Sequence, residues 1–213
     1  MGETELKEPR YVIWGAAPVQ DDVVRFLGKE DYIIAADGGW KSAARLGIQP
    51  DCVLGDFDSS DCPTHSNVMR LPTEKDDTDT HFATKLAISR GAKEILYLGV
   101  IAGKRVDHMF AAIQSAMYAV NRGVSVSLTD GYCEMQILKG ECNTRIPARE
   151  NCYFSLLALS DNLQGVSERG GKYELENAAV SSDFPIGVSN EFVGKDVEIS
   201  IQSGSALLII TPK

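Results

Sequence analysis

Over its first two thirds the chain alternates two kinds of segment, and this alternation restricts the available folds more than any other feature. Short apolar, β-branched runs stand at residues 11–15, 32–36, 52–55, 68–71, 95–99 and 124–128. Between them lie stretches with helical spacing, marked by Val23, Val24 and Leu27, by Ala43, Ala44 and Leu46, by Phe82, Leu86 and Ile88, and by Met109, Ile113, Met117 and Val120. Strand–helix alternation predicts an α/β layer built on a mainly parallel sheet. Gly28, Gly47, Gly91 and Gly123 stand where each helix should stop, as C-cap glycines do.

After about residue 131 the helical spacing disappears. Strand-like runs follow at 132–138, 153–159, 197–201 and 207–210, punctuated by glycines and Pro185. This pattern predicts a smaller all-β sandwich or flattened barrel behind the α/β part. With the boundary near Gly140, the expected domains are residues 1–139 and 140–213.

Composition removes several function classes. The 213 residues carry 21 Lys+Arg against 30 Asp+Glu, a net charge of −9, which is opposite to the basic stripe of a nucleic-acid binder. It also disfavours adhesion to anionic membranes. No apolar run approaches the roughly 18–20 residues of a membrane span, and the polar N-terminus has no signal-peptide core. Five cysteines (Cys52, Cys62, Cys133, Cys142 and Cys152) without a C-x-x-C read as reduced thiols of a cytoplasmic protein.

Polar clusters gather where the parallel sheet should bind a ligand, beyond the carboxyl ends of its strands. Asp37-Gly38-Gly39 follows the second strand, Gly55-Asp56-Phe57-Asp58-Ser59 the third, and Thr73 through Asp79 the fourth. The fifth is followed by Gly99 through Gly103 and then by Lys104-Arg105-Val106-Asp107-His108. Nine of the sixteen aspartates lie between Asp37 and Asp107, where loops chosen only for solubility would spread charge over both ends of the sheet. A hard divalent ion holding a polyphosphate suits this set: Mg²⁺ takes carboxylate, phosphate and water oxygens. Glycines let backbone N–H groups approach phosphates, and Arg105 offers a forked donor.

Blander roles suit some of these residues. Asp37-Gly38-Gly39 also fits a tight turn, and Thr78-Asp79 a helix cap. Asp107 near a helix start also satisfies the helix dipole. His65 and His81 read as surface residues, and Trp14 and Trp40 as packing residues. Both G-x-G-x-x-G and a complete P-loop are missing: Gly15-Ala16-Ala17-Pro18 follows the first strand, and the 99–105 segment is one residue short of the P-loop and lacks its Ser/Thr.

In sequence order, Ala36-Asp37-Gly38-Gly39, Gly55-Asp56-Phe57-Asp58-Ser59, Lys75-Asp76-Asp77-Thr78-Asp79 and Arg105-Val106-Asp107-His108 resemble the thiamine pyrophosphokinase family. Gly170-Gly171-Lys172-Tyr173-Glu174-Leu175 and Gly187-Val188-Ser189-Asn190-Glu191 extend the resemblance, which runs from about residue 11 to 210. It implies a homodimer whose chains join an α/β catalytic domain to a β-sandwich, and a pyrophosphoryl transfer from ATP to the thiamine hydroxyl. Carried over residue by residue, Asp56, Asp58, Asp76 and Asp79 are implied to hold Mg²⁺, with Arg105 and Asp107 completing the catalytic set. Asp37, Gly38, Gly39, Thr78, Gly99, Arg105 and His108 are implied to serve ATP, and Tyr173, Ser189 and Asn190 to reach thiamine. Departures from the family pattern are Lys104 where Gly is usual, Phe82 where many members have Lys, and Ala112 where many have Asn. The residues themselves leave two alternatives open: a Mg²⁺-dependent phosphohydrolase using Asp56 and Asp58, and a non-catalytic thiamine or nucleotide sensor.

Overall fold

The protein is described by a computed structural model covering residues 9–57, 63–64, 66–74 and 76–213. It divides into two compact units, residues 1–131 and 132–213. In the first unit the strands are β1 (Tyr11–Trp14), β2 (Tyr32–Ala36), β3 (Cys52–Gly55), β4 (Val68–Arg70), β5 (Glu94–Leu98) and β6 (Ser125–Thr129). They lie in the order β6-β5-β1-β2-β3-β4, and every pairing among them is parallel. All six expected strands are present, each within one residue of its expected ends.

β1, β2 and β3 are apolar along their length because both faces are covered, whereas edge strand β4 ends in exposed Arg70 and β6 alternates Ser and Thr with apolar residues. Val12, Trp14, Ile33, Leu96 and Leu98 pack with Val23 of a 3-10 helix (Asp21–Phe26) and Ala43 of α1 (Gly39–Arg45). Facing the other way, buried Tyr97 shares a 2.8 Å hydrogen bond with Thr84 of α2 (Asp79–Ser89). α2 packs on β1, β2 and β3, and α3 (Val106–Val120) packs on α2 and β6. Among the described residues no helix is long and apolar enough to cross a membrane.

The stop signals are realised at Gly47, Gly91 and Gly123, all with positive φ. Gly28 departs from expectation. The segment before it is a single 3-10 helix that ends at an extended Leu27, and the Gly28 N–H is donated to Asp31 Oδ2 at 2.7 Å. Val23 and Phe26 of this short helix, with Leu27 just beyond it, pack on the core, while Val24 is exposed.

The second unit contains strands only. β7 (Glu134–Lys139), β9 (Cys152–Ala158), β12 (Asn190–Glu191) and β14 (Ser205–Pro212) pair antiparallel in the order β12-β9-β14-β7. β8 (Cys142–Ile146), β10 (Asn162–Arg169), β11 (Leu175–Ser181) and β13 (Val197–Ile201) form a second antiparallel sheet, β11-β10-β13-β8. Phe154 and Leu156 from the first sheet and Leu163, Val166 and Ile199 from the second belong to one core. The sequence places a boundary near Gly140. Because β7 pairs with β14 along its whole length, residues 134–139 share the hydrogen bonds of the second unit.

One close approach sets where α1 begins. A Cβ on Gly39 would stand 2.0 Å from the Trp14 carbonyl oxygen, so only glycine lets the helix start against the end of β1. Gly39→Ala is therefore expected to destabilise the first unit by about 3 kcal/mol, the upper range for forced overpacking. Urea unfolding followed by tryptophan fluorescence, which reports Trp14 and Trp40 of this unit, measures it.

Candidate active site

In a parallel sheet the carboxyl ends of all strands share one edge, and the order of this one reverses direction between β1 and β5. At such a switch point the two following loops diverge and leave a crevice. Here the loops after β1 and β5 remain hydrogen-bonded at their roots: Gly15 N–H donates to Leu98 O and Ala17 N–H to Gly99 O, both at 2.8 Å. Gly99 has φ +60°, and a Cβ there would lie 2.8 Å from the Gly15 carbonyl oxygen. Glycine is what allows the two backbones to touch.

Two neighbouring pockets open on this edge. One, of about 210 Å³, is lined by Gly15, Ala16, Pro18, Gly99, Gly103 and Lys104 among others. The second, of about 400 Å³, is lined by Asp37, Asp56, Asp77, Thr78 and Asp79. Ala16, Thr80, Arg105 and His108 line both. A glycine-walled space thus adjoins an acidic one, with a cationic side chain at their junction.

Backbone geometry aims the carboxylates. Asp37, at the end of β2, has φ +47° and donates its N–H to Leu54 O at 2.7 Å. Phe57, just after Asp56, has φ +55°, an unusual conformation for a bulky residue. Left-handed residues of this kind concentrate at functional sites, where the surrounding structure holds them against their strain. Thr78 caps α2 as the sequence predicts, its Oγ1 accepting from His81 N–H at 3.1 Å. Asp79 then opens the helix with an oxygen 3.5 Å from where a Gly55 Cβ would stand.

The structure distributes the remaining residues unevenly. Asp58 lies outside the described residues, as do Ser59, Cys62, His65 and Lys75. Asp76 is exposed and outside the pocket lining, whereas its neighbour Asp77 belongs to it. Gly38 is the N-cap residue of α1, and Gly39 is buried beneath it. Asp107 is exposed and grips Arg105 through both carboxylate oxygens, at 2.9 and 2.6 Å. That hydrogen-bonded pairing holds its pKa down at about 2. A carboxylate so depressed is a weak proton acceptor at neutral pH.

His81 is not the surface residue its sequence context suggests. Its ring meets Tyr118 edge-on at 4.8 Å, and Nδ1 is 3.0 Å from Ser115 Oγ. Burial lowers its pKa, opposed by Asp77, whose carboxylate also pairs with Lys85. The pocket residues given no site role by the sequence include Ala16, Thr80 and Asp77. Asp77 stands inside the acidic run, but only the turn leading into α2 decides which of two adjacent aspartates faces inward.

In the second unit, Tyr173, Ser189 and Asn190 form one cluster. Tyr173 and Ser189 are exposed; Asn190 is buried. Ser189 has φ +60° and donates its N–H to Ser155 Oγ at 2.9 Å. Asn190 Oδ1 accepts from Tyr173 N–H at 3.0 Å and Glu191 N–H at 2.9 Å, and Nδ2 donates to Tyr173 O at 2.6 Å. The asparagine side chain therefore joins two loops, while the serine hydroxyl and the tyrosine ring face outward.

Known proteins share this organisation. Residues 23–128 match a family model described as the thiamin pyrophosphokinase catalytic domain, and residues 143–206 one described as its vitamin B1 binding domain. A curated thiamine pyrophosphokinase of Bacillus subtilis is 24% identical over 212 residues, covering 96% of this chain and 98% of that protein. The crystal structure of a Bacillus subtilis thiamine pyrophosphokinase superposes with a TM-score of 0.85 at 23% identity, covering 97% of this chain and 100% of the other. The yeast thiamin pyrophosphokinase structure gives 0.75 at 15% identity, covering 99% of this chain and 88% of the other. These likenesses show the fold. With the catalytic and vitamin-binding models matched in chain order over most of its length, the chain belongs to the thiamin pyrophosphokinase family.

Proposed function

We propose that the chain transfers the pyrophosphoryl group of ATP to the hydroxyl of thiamine, giving thiamine diphosphate and AMP. The observation that carries this reading is the junction of the two pockets, where Arg105 and His108 stand between a glycine-lined wall and the carboxylates of Asp37, Asp56 and Asp79. The glycine-lined pocket receives the nucleotide, and the acidic pocket receives the polyphosphate with its cation. Tyr173 and Ser189 supply the thiamine surface.

The donor set fits Mg²⁺. Asp37, Asp56, Asp77 and Asp79 line one pocket, and carboxylate oxygens are what this ion takes, usually one or two, before phosphate oxygens and water complete its octahedron. Asp56 and Asp79, which line the acidic pocket with Asp77, would hold it, with Asp58 added by the family resemblance; bound there, it would neutralise the polyphosphate.

The thiamine hydroxyl attacks the β-phosphorus as the bond from that phosphorus to the AMP oxygen breaks. The hydroxyl proton passes to a carboxylate. Asp107 suits that role poorly, because its pairing with Arg105 depresses its basicity. Arg105 offers its fork to the transferred group. Positioning and charge neutralisation are most of what such a transfer asks of a protein.

A homodimer is part of the proposal. Phe184, Ile186, Val188 and Val193, in the segment around Ser189, are large apolar side chains left exposed, the kind of surface a second copy covers. Light scattering is expected to give twice the 23.1 kDa chain mass; a monomer at micromolar concentration would remove this part of the proposal.

The reaction is tested by chromatography of ATP incubated with Mg²⁺, with and without thiamine. AMP is expected to appear only with thiamine and in step with thiamine diphosphate, and to vanish with EDTA. Phosphate released regardless of thiamine would indicate a hydrolase; binding without AMP, a sensor. Asp56→Asn is expected to lower kcat by about 10²- to 10³-fold, as loss of transition-state charge stabilisation does. Tyr173→Ala should raise KM for thiamine about tenfold by removing an aromatic contact to a cationic ring, with KM for ATP unchanged.

A further inference from the structure

Strand β10 carries an ionisable side chain where its pattern asks for an apolar one. Leu163 and Val166 belong to the core of the second unit, and the next inward residue is Glu168, only 2% exposed. Its Oε2 accepts a hydrogen bond from Asn190 Nδ2 at 3.1 Å. Its Oε1 is buried and has no hydrogen-bond partner among the described residues. Burial pushes the carboxyl pKa up, against the Asn190 hydrogen bond, which pulls it down.

A carboxyl held out of water by one hydrogen bond weakens a fold. An apolar side chain of similar size would serve this core at least as well. Stability therefore gives no reason for Glu168, and its single partner does. Asn190 has one amide orientation that satisfies its surroundings, with Oδ1 toward the Tyr173 and Glu191 N–H groups and Nδ2 toward the Tyr173 carbonyl. An acceptor at Glu168 takes the second Nδ2 hydrogen and strengthens that orientation against its flip.

We propose that Glu168 is a positioning residue for the thiamine surface: from inside the core it fixes the Asn190 amide that ties residues 189–191 to residue 173, and so sets the Ser189 hydroxyl and the Tyr173 ring. The proposal rests on the reading of Ser189 and Tyr173 as thiamine contacts. Glu168 touches no substrate; its effect passes entirely through Asn190.

The test compares wild type, Glu168→Gln, Glu168→Leu and Glu168→Met, varying thiamine and Mg·ATP separately. The Leu and Met variants remove the acceptor, and KM for thiamine is expected to rise about tenfold, the equivalent of one selective hydrogen bond. Their kcat and KM for ATP are expected to stay within about twofold, and their melting temperatures at or above wild type, because a buried carboxyl has been replaced by an apolar group. Glu168→Gln keeps an acceptor and is expected to retain wild-type KM for thiamine. The inference is overturned by a wild-type thiamine KM in the Leu or Met variant, or by a loss shared equally with KM for ATP. It is equally overturned by a Gln variant as impaired as Leu, or by failure of both apolar variants to fold, which would make the carboxyl a support of the fold. Wild-type protein that forms no thiamine-dependent AMP would defeat the functional reading itself, whereas thiamine-dependent AMP with an unmoved KM in Glu168→Leu defeats this inference alone.

Discussion

Close backbone contact at the carboxyl edge of the parallel sheet is the constraint on which the candidate site depends. α1 starts against the Trp14 carbonyl because Gly39 has no Cβ, and the loop after β5 lies on the loop after β1 because Gly99 has none. Side chains at either place would lift the loops apart and enlarge the crevice, separating the glycine wall from the acidic one. These contacts set the distance between the part of the site suited to a nucleotide and the part suited to a metal-bound polyphosphate. Loops after different strands can cooperate only if the backbone holds them this near.

Around that frame the polar residues are held in conformations that other forces must maintain. Asp37 and Phe57 at the ends of β2 and β3, and Ser189 in the second unit, occupy the left-handed region without being glycine. At Asp37 the compensation is the bond from its N–H to Leu54 O; at Ser189 it is the bond to Ser155 Oγ. Such bonds turn a side chain away from the direction a regular strand would give it. The same principle extends inward at Asn190, where the restraint on the outer surface originates in the core.

Much of this was legible in the sequence, and the exceptions have physical causes. β1, β2, β3 and β5 were readable because burial on both faces leaves nearly unbroken apolar runs, and β4 and β6 because short apolar stretches stand in register with the strand–helix alternation. β8, β10 and β11 were not, because half-buried edge and sheet-face positions mix Asn, Thr, Gln, Ser and Glu with their apolar residues, and a bulge at Gly165 breaks the period of β10. The acidic clusters announced themselves through position at strand ends. Which aspartate of a run faces the pocket depends on turn geometry, hence Asp77 where Asp76 was expected. His81 was misjudged for a related reason: helix α2 is short of apolar residues, so packing against Ser115 and Tyr118 of α3 leaves little periodic trace.

Asn190 and Glu168 show how far sequence spacing can reach. Ser189-Asn190 stands out as a pair, and adjacency suggests a shared task. In three dimensions the two residues divide it, Ser189 exposed in a left-handed bend and Asn190 buried where β12 begins. Glu168 lies more than twenty residues away on another strand, and nothing in the sequence singles it out. Only its burial reveals that this carboxylate is committed to the interior. A polar group in such a place costs stability, and its hydrogen bond adds to the three backbone bonds that hold the Asn190 amide in one orientation. The second unit thus trades some of its core for a defined surface, as the first trades side chains for backbone contact at Gly39 and Gly99.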